Sequence, residues 1–600
     1  MCGISGILVR RDNKVRLDEI KKMNDLIIHR GPDDEGIFLE ENLGFGHRRL
    51  SILDLSSDGH QPMSYLDRYV ITYNGEVYNY LEIREELEKD GYSFKSHTDT
   101  EVIIASYDKW GEECVNKFNG MWAFAIYDRV KQNVFCSRDR FGIKPFYYAQ
   151  IEDKFIFASE IKQLLPFFSK NIVNKNNIMD FILYGKEEYN NETFFKDVYK
   201  LEQSHNLVYD LKLNSFKINN YYNLSLKEEI QKLNEQDSIE LFRETFDNAI
   251  CLRLRSDVKV GTCLSGGLDS SSIATIASSL YFSNSSEQFN AITAKSTEKK
   301  TDETLYAKKV VEESNLNWSI IEPSSKEFIE NIDEVIYTQE EPFGGPSIFM
   351  QYFVMKKAKE IGCTVMLDGQ GADETLVGYE SYFPFYIALM IKEFNFLKAL
   401  ETFIYMKNFK LSRKKILLTT VSILFGKKIS FLRQFYRSKK YGESFKNKTE
   451  NKNFKNFFTF QYEQIMKLNL AKLLKYEDKN SMRHSIETRL PFVDVNTVEV
   501  SLSINCLYKI KNGYTKYILR KSMENKMENS ITWRYNKFGF EAPSETWIKE
   551  IEDFMFDSIS KSEILSRYKI SLDSINKKDK ALLWRLFSIS VWEKVYDVKS

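Results

Sequence analysis

The first 160 residues alternate short apolar runs with polar punctuation: GISGILV, YVITYNGEVYNY, MWAFAIYD, NVFCSRD, FYYAQ and KFIFAS, set apart by Asp, Asn and Gly. β-Branched and aromatic residues dominate these runs, which predicts strands separated by turns. Apolar residues at helical spacing interrupt the series near 18–28, 80–90 and 99–109. Together they predict an α+β domain with antiparallel sheets. The segment 196–222 reads as closing strands, and the polar stretch 223–238 as a linker into a helix.

Beyond the linker the grammar changes. A helix over 238–252 precedes the strand VKVGTCLS, a Gly-rich turn and the helix SSSIATIASSL. Strand FNAITAK, helix TLYAKKVVEES, strand NWSIIEP, a helix over 347–361 and strand CTVMLDG follow. Strands alternating with helices predict a doubly wound parallel sheet, and the chain past 380 reads as mainly helical. Six hundred residues are too many for one core, so two domains are expected, over 2–222 and 236–600.

Composition narrows the class. Apolar residues make up 43% and charged residues 28%, and 85 basic residues balance 85 acidic ones. That balance gives no reason to expect a nucleic-acid partner. The seven cysteines, at 2, 114, 136, 251, 263, 363 and 506, form no C-x-x-C, and the six histidines form no H-x-x-x-H. Neither a disulfide framework nor zinc is expected, and a reduced, cytoplasmic compartment is. The N-terminus lacks the basic and apolar regions of a signal peptide, and no apolar run reaches the roughly 18 residues of a spanning helix. Residues 407–456 stand out, with fifteen Lys or Arg against Glu443 and Glu450. They read as a helical surface insertion. A basic amphipathic face for an anionic membrane or a protein partner is the alternative.

Cys2 lies behind a removable Met1 and ahead of Gly3. The thiolate is a nucleophile with a free pKa of about 8.5, and an α-amine titrates at about 7.7–8.0. Freed of Met1, Cys2 would carry its own base. Alone, that reading is weaker than an incidental buried thiol. HRGPDDEG (29–36), GHRRLSILD (46–54), YNGEVYNY (73–80), HTDTEVI (97–103) and SRDRFGIKPFYY (137–148) reverse the balance. A thiol acting on an amide needs donors for the oxyanion, which an Asn74 side chain and a Gly75 N–H supply. A zwitterionic substrate needs a carboxylate clamp, for which Arg49 is suited, and acids for its ammonium, such as Glu76 and Asp99. A hairpin turn at Asn74-Gly75 and a helix cap at Asp99 are the plain structural alternatives.

In this order, over most of 2–205, these residues resemble the class II glutamine amidotransferases. Their fold is that of the N-terminal-nucleophile hydrolases, antiparallel sheets layered between helices. The resemblance implies that Cys2 attacks the side-chain amide of glutamine and releases ammonia. It implies Asn74 and Gly75 in the catalytic oxyanion site, and Arg49, Glu76 and Asp99 in glutamine binding.

CLSGGLDSSS (263–272) ends a strand and opens a helix. Glycines there let several N–H groups point at one anion, and the helix N-terminus adds its positive end. No GK[ST] follows, so this is not the Walker loop, and holding pyrophosphate while AMP is transferred fits better than γ-phosphate hydrolysis. The stretch resembles the pyrophosphate loop of N-type ATP pyrophosphatases, with Asp269 a candidate magnesium ligand. VMLDGQGADETLVGY (365–379) repeats the strand–turn–helix form, with Asp373 as a second carboxylate. SMRHSIETRLPFVD (481–494), GYTKYILRKSM (513–523) and WRYNKFGFEAP (533–543) embed polar residues in apolar runs. Lys516 among them is a candidate to stabilise charge as ammonia attacks an acyl-adenylate.

Apart from the 407–456 insertion, nearly the whole chain is similar to the glutamine-hydrolysing asparagine synthetases. That resemblance implies ATP and Mg2+. It implies Ser265, Gly266, Gly267, Leu268, Asp269 and Ser270 around the pyrophosphate, Asp269 and Asp373 on the metal, and Lys516 at the transition state. The implied reaction converts glutamine, ATP and aspartate to glutamate, AMP, pyrophosphate and asparagine. Two features depart from the family pattern. Gln370 and Ala372 stand where Glu and Ser are expected, and YTQEEPFGGPSIFMQY (337–352) differs from the expected aspartate-binding region. Gln is isosteric with Glu but cannot titrate. A different carboxylate acceptor, such as a uronic acid of a surface-polysaccharide precursor, stays open, as does a homodimer.

Overall fold

The structure, a computed structural model, describes residues 2–10, 13–298, 302–405, 412–425, 456–535, 542–568 and 579–600. Its N-terminal part carries two six-stranded antiparallel sheets. Strand Gly3–Val9 runs through the first, paired with Leu43–Arg49 on one side and Lys154–Ala158 on the other. All seven of its residues are buried, so Cys2 enters the molecule directly ahead of a central strand. In the second sheet Tyr69–Val77 pairs with Gly120–Asp128.

Period-two alternation decides what each face meets. Val70, Ala123, Ala125 and Tyr127 point between the sheets, where they pack with Ile4, Leu8, Phe45 and Phe157. Their neighbours Ile71, Tyr73, Trp122 and Phe124 point the other way, into the core containing Val102, Ile103 and Leu87 of helices Asp99–Trp110 and Tyr80–Lys89.

The C-terminal part is built on five parallel strands in the spatial order Asn317–Ile321, Asn290–Ala294, Val260–Cys263, Val365–Leu367, Glu487–Arg489. The chain begins at the centre, works outward to one edge, then returns to build the other. The strands ending at Cys263 and Leu367 are therefore neighbours whose connections leave in opposite senses. Doubly wound sheets bind ligands at such a switch point. The two Gly-rich turns singled out in the sequence both begin there.

Helix Glu235–Arg253, capped by Asn234, starts inside the expected linker. The pattern predicts four of the five strands but not Glu487–Arg489. Those three residues, ETR, hold two charges and no apolar run. Arg489 Nε donates to Glu487 Oε1 at 2.5 Å, and its Nη1 to the carbonyls of Arg253 at 2.8 Å and Arg255 at 2.6 Å. The two-residue pair Asn171–Ile172 with Val598–Lys599 is likewise too short to leave a periodic signal, yet it ties the end of the chain to the N-terminal part.

Apolar clusters run across the junction of the two parts. One joins Ile7, Val9 and Ile178 to Phe349, Trp584 and Trp592. Another joins Leu50, Ile52 and Met121 to Phe246, Leu490 and Phe492. Of the basic 407–456 segment, helix Arg413–Phe425 is described, with Ile416 buried and Leu417 and Leu418 exposed. Most of the expected membrane or protein contact lies outside the described residues. Among those described, no helix is long and apolar enough to cross a membrane, and all seven cysteines are free thiols.

Candidate active sites

A cavity opens beside Cys2, lined among others by Arg49, Gln61, Tyr73, Gly75, Glu76, Thr98 and Asp99. The structure thus gathers residues that lie far apart in the sequence. Asn74 Oδ1 accepts a hydrogen bond from the Cys2 backbone nitrogen at 3.0 Å. Its Nδ2 is buried with no acceptor among the described residues. An unpaired buried donor costs about 1–3 kcal/mol, and a developing oxyanion is one group that can satisfy it. Asn74 and Gly75 lie within strand Tyr69–Val77, not in a hairpin turn. Gly75 admits no side chain, because a Cβ would strike the Met121 carbonyl oxygen and lie 2.8 Å from Trp122 Cα on the next strand.

Nor is Asp99 a helix cap. Thr98 caps helix Asp99–Trp110 by accepting from the Glu101 N–H, which leaves the Asp99 carboxylate to the cavity. Its Oδ2 accepts from Tyr73 Oη at 2.8 Å and from the Val77 N–H at 2.9 Å. Burial raises its pKa to about 6 against the pull of those two bonds. Arg49 donates to the carbonyls of Ser56, at 2.7 Å, and Asp54, which fix the guanidinium at the cavity wall. Burial pushes the Cys2 thiol up, opposed by the Leu50 N–H and the Arg49 charge.

Sequence reasoning missed the charges behind this cavity. Arg489, from the parallel-sheet part, lies 3.4 Å from Glu76. Burial drives the Glu76 carboxyl well above its usual range, and Arg489 opposes it. Arg30 donates from Nε to the Cys2 carbonyl at 3.1 Å and from Nη1 to Glu160 Oε1 at 3.0 Å and Asp478 Oδ2 at 2.9 Å. Lys144 Nζ reaches Asp478 Oδ1 at 3.2 Å. The available signal was ionisable residues inside apolar context, as in SIETRLPF and KLLKYEDKNSM.

At the switch point, Lys516 Nζ lies 2.5 Å from Asp269 Oδ2 and 2.7 Å from Asp373 Oδ1. The lysine side chain is 2% exposed and each carboxylate 17%. Asp269 sits in the first turn of helix Leu268–Ser285, and Asp373 in the short helix Ala372–Thr375. Lys516 precedes helix Tyr517–Ser522 with φ +53°. A non-glycine there costs of order 1–3 kcal/mol and persists only where the surroundings impose it. Gly378 makes the approach possible, because a Cβ at that position would strike both Asp373 Oδ1 and Lys516 Cε.

In the loop itself, Gly267 caps the helix. Ser265 Oγ and Ser270 Oγ meet at 2.9 Å, the Gly267 N–H donates to Ser265 Oγ at 3.2 Å, and the Ser265 N–H donates to Ser270 Oγ at 3.1 Å. Two hydroxyls thus occupy loop N–H groups that anionic oxygens can take over. Gly266 adopts φ +82°, and a Cβ there would come within 2.6 Å of the Ala307 nitrogen. Two carboxylates completed by phosphate oxygens and water are a donor set that suits Mg2+. Among the described residues no cluster of three or more His, Cys, Asp or Glu is placed to hold a metal.

The divergent segment 337–352 has a structural use. Glu340 accepts from the N–H groups of Ile161 at 2.9 Å and Lys162 at 2.8 Å, and Glu341 from that of Phe194 at 2.8 Å. These acids hold the two parts of the chain together.

Comparison with known proteins gives two family matches. Residues 1–222 match a family described as a glutamine amidotransferase domain, and residues 241–593 match asparagine synthase. The two matches define an amidotransferase joined to an asparagine-synthase-type ligase. Asparagine synthetase [glutamine-hydrolyzing] 1 of Bacillus subtilis is 30% identical, over 99% of this chain and 97% of its own length. Asparagine synthetase [glutamine-hydrolyzing] 2 of the same organism is 30% identical, over 89% and 71%. The chain belongs to the asparagine synthase family. Among solved structures, the glutamine phosphoribosylpyrophosphate amidotransferase of B. subtilis with ADP and GMP aligns with 62% of this chain and 82% of its own, at 14% identity and a TM-score of 0.29.

Proposed function

We propose that the chain moves the amide nitrogen of glutamine onto a carboxylate that ATP has adenylated, with aspartate as the acceptor. The observation that carries this reading is the convergence of Asp269, Asp373 and Lys516 at the switch point of a chain that also holds Cys2 beside a cavity. Glutamine lies in that cavity with its α-carboxylate at Arg49 and its ammonium near Glu76 and Asp99. Once Met1 is removed, the Cys2 amine takes the thiol proton, and the thiolate attacks the side-chain amide. Asn74 Nδ2 and the Gly75 N–H hold the oxyanion, and ammonia leaves.

In the second site the 265–270 loop holds the pyrophosphate part of ATP. Mg2+ on Asp269 and Asp373 would neutralise phosphate charge. Lys516 stabilises the charge that develops as ammonia displaces AMP. Ammonia is a nucleophile only while unprotonated, which favours a route shielded from water. The buried junction, with Leu50, Ile52 and Met121 in one continuous core, supports that route.

Aspartate rests on the family and on the names of the relatives. Gln370, which cannot titrate, departs from the family pattern, and the second reading keeps the same chemistry on another carboxylate, such as a uronic acid. A screen of acceptor-dependent pyrophosphate release, with ammonium chloride as nitrogen source, separates the two. Aspartate-dependent release is expected. Release with a sugar acid and none with aspartate would replace the acceptor.

A further inference from the structure

Amide formation needs a base. Ammonia attacking an acyl-adenylate gives a tetrahedral adduct bearing –NH3+, and the nitrogen must lose a proton as the C–O bond to AMP breaks. Lys516 is a cation and Gln370 an amide, so neither serves.

Two residues before Gln370 stands Asp368, immediately after strand Val365–Leu367. Its loop lies against the pyrophosphate loop, since a Cβ on Gly369 would be 3.2 Å from Asp269 Cβ and 3.3 Å from the Ser270 nitrogen. Behind Asp368 is Glu477, on helix Asn469–Arg483 and 2% exposed. The two carboxyl groups are in hydrogen-bond contact. Two carboxyl oxygens can meet in that way only with a proton between them.

The partners of Glu477 point the same way. Its Oε2 accepts from Gln351 Nε2. Gln351 Oε1 in turn accepts from Asn480 Nδ2 at 3.1 Å, and Asn480 Oδ1 from Gln339 Nε2 at 2.8 Å. This directed chain fixes the carboxyl group from behind. Its Oε1 is buried with no donor among the described residues. Lys144 also acts on Glu477, and the Cys263 thiol bonds to Asp368. Lys144 is engaged with Asp478, and burial pushes the Cys263 thiol well up.

Resting on the ligase reading above, we propose that Asp368, sharing a proton with Glu477, is the base that deprotonates the attacking nitrogen in amide formation. The adduct transfers one proton from nitrogen to the half-ionised pair, the C–O bond to AMP breaks, and the amide and AMP leave with the pair doubly protonated. The proton then passes to solvent through Asp368, the more exposed member. Burial raises both carboxyl groups above their ordinary values, which suits a base working near neutral pH.

The test uses the full chain with ATP, MgCl2, aspartate and ammonium chloride. Glu477→Gln and Asp368→Asn should keep glutaminase activity and aspartate-dependent ATP–pyrophosphate exchange within about threefold. They should lose about 10²–10⁴-fold in amide formation, along with the wild-type fall in amide formation toward acid pH at fixed free ammonia. Amide formation within about threefold of wild type would overturn the proposal. So would a parallel loss of exchange or glutaminase activity, which marks a structural role. A wild type inactive with aspartate but active with another acid refutes only the acceptor, and the same variants are then compared on that acid.

Discussion

Arg489 Nη2 approaches Glu76 Oε2 at 3.4 Å, so a residue of the parallel-sheet part helps to hold a wall of the Cys2 cavity. The Cys2 cavity is therefore completed across the junction. Arg489→Met would leave Glu487 buried without the cation it bonds, a loss on the order of 3–5 kcal/mol. A lower thermal midpoint and a reduced kcat/KM for glutamine are expected. Wild-type values for both would contradict the assignment.

Cys2→Ala should abolish glutamine-dependent amide formation and leave the ammonium-dependent reaction running. Asn74→Ala should lower glutaminase kcat by about 10²–10³, the usual effect of losing one oxyanion donor. Parallel assays with glutamine and with ammonium chloride check both. Loss of the ammonium reaction in Cys2→Ala would rule out separate sites.

Asp99 gives a pH dependence with a definite sign. Its pKa is raised to about 6 by burial, and the proposed glutamine site needs it ionised to hold the substrate ammonium. The kcat/KM for glutamine hydrolysis should therefore fall as pH drops through about 6, and be restored above it. Asp99→Asn should raise the glutamine KM and remove that limb. A pH profile from 5 to 8, measured as glutamate released, decides the point.

Asp269→Asn and Asp373→Asn should each suppress acceptor-dependent pyrophosphate release and raise the Mg2+ concentration needed for what remains. Glutaminase activity should persist, because Cys2 and its cavity lie in the other part of the chain. Titrating MgCl2 against pyrophosphate release reads this directly. Unchanged release would remove both carboxylates from the metal site.

Sequence legibility followed the length of each signal. Strand Gly3–Val9 and the parallel strands ending at Cys263 and Leu367 were readable because apolar runs must face a core. Cys2, Asn74, Asp269 and Lys516 stood out in the sequence because each lies in a motif, and the structure brings Cys2 to Asn74 and Lys516 to Asp269. Arg489, Arg30, Asp478 and Glu477 were not, because a buried charge is defined by partners hundreds of positions away. Arg30, for instance, meets Asp478 at a separation of 448 residues. Strand Glu487–Arg489 failed for the same reason, since its pairing charges hide its burial.

In the proposed function, nitrogen freed at Cys2 is consumed at Lys516 without mixing with solvent. Glutamine labelled with 15N in its side-chain amide, supplied with unlabelled ammonium too dilute to drive turnover alone, tests it. The amide product, read by mass spectrometry, should carry the 15N of glutamine almost undiluted. A product whose label follows the ammonium pool of the medium would contradict it.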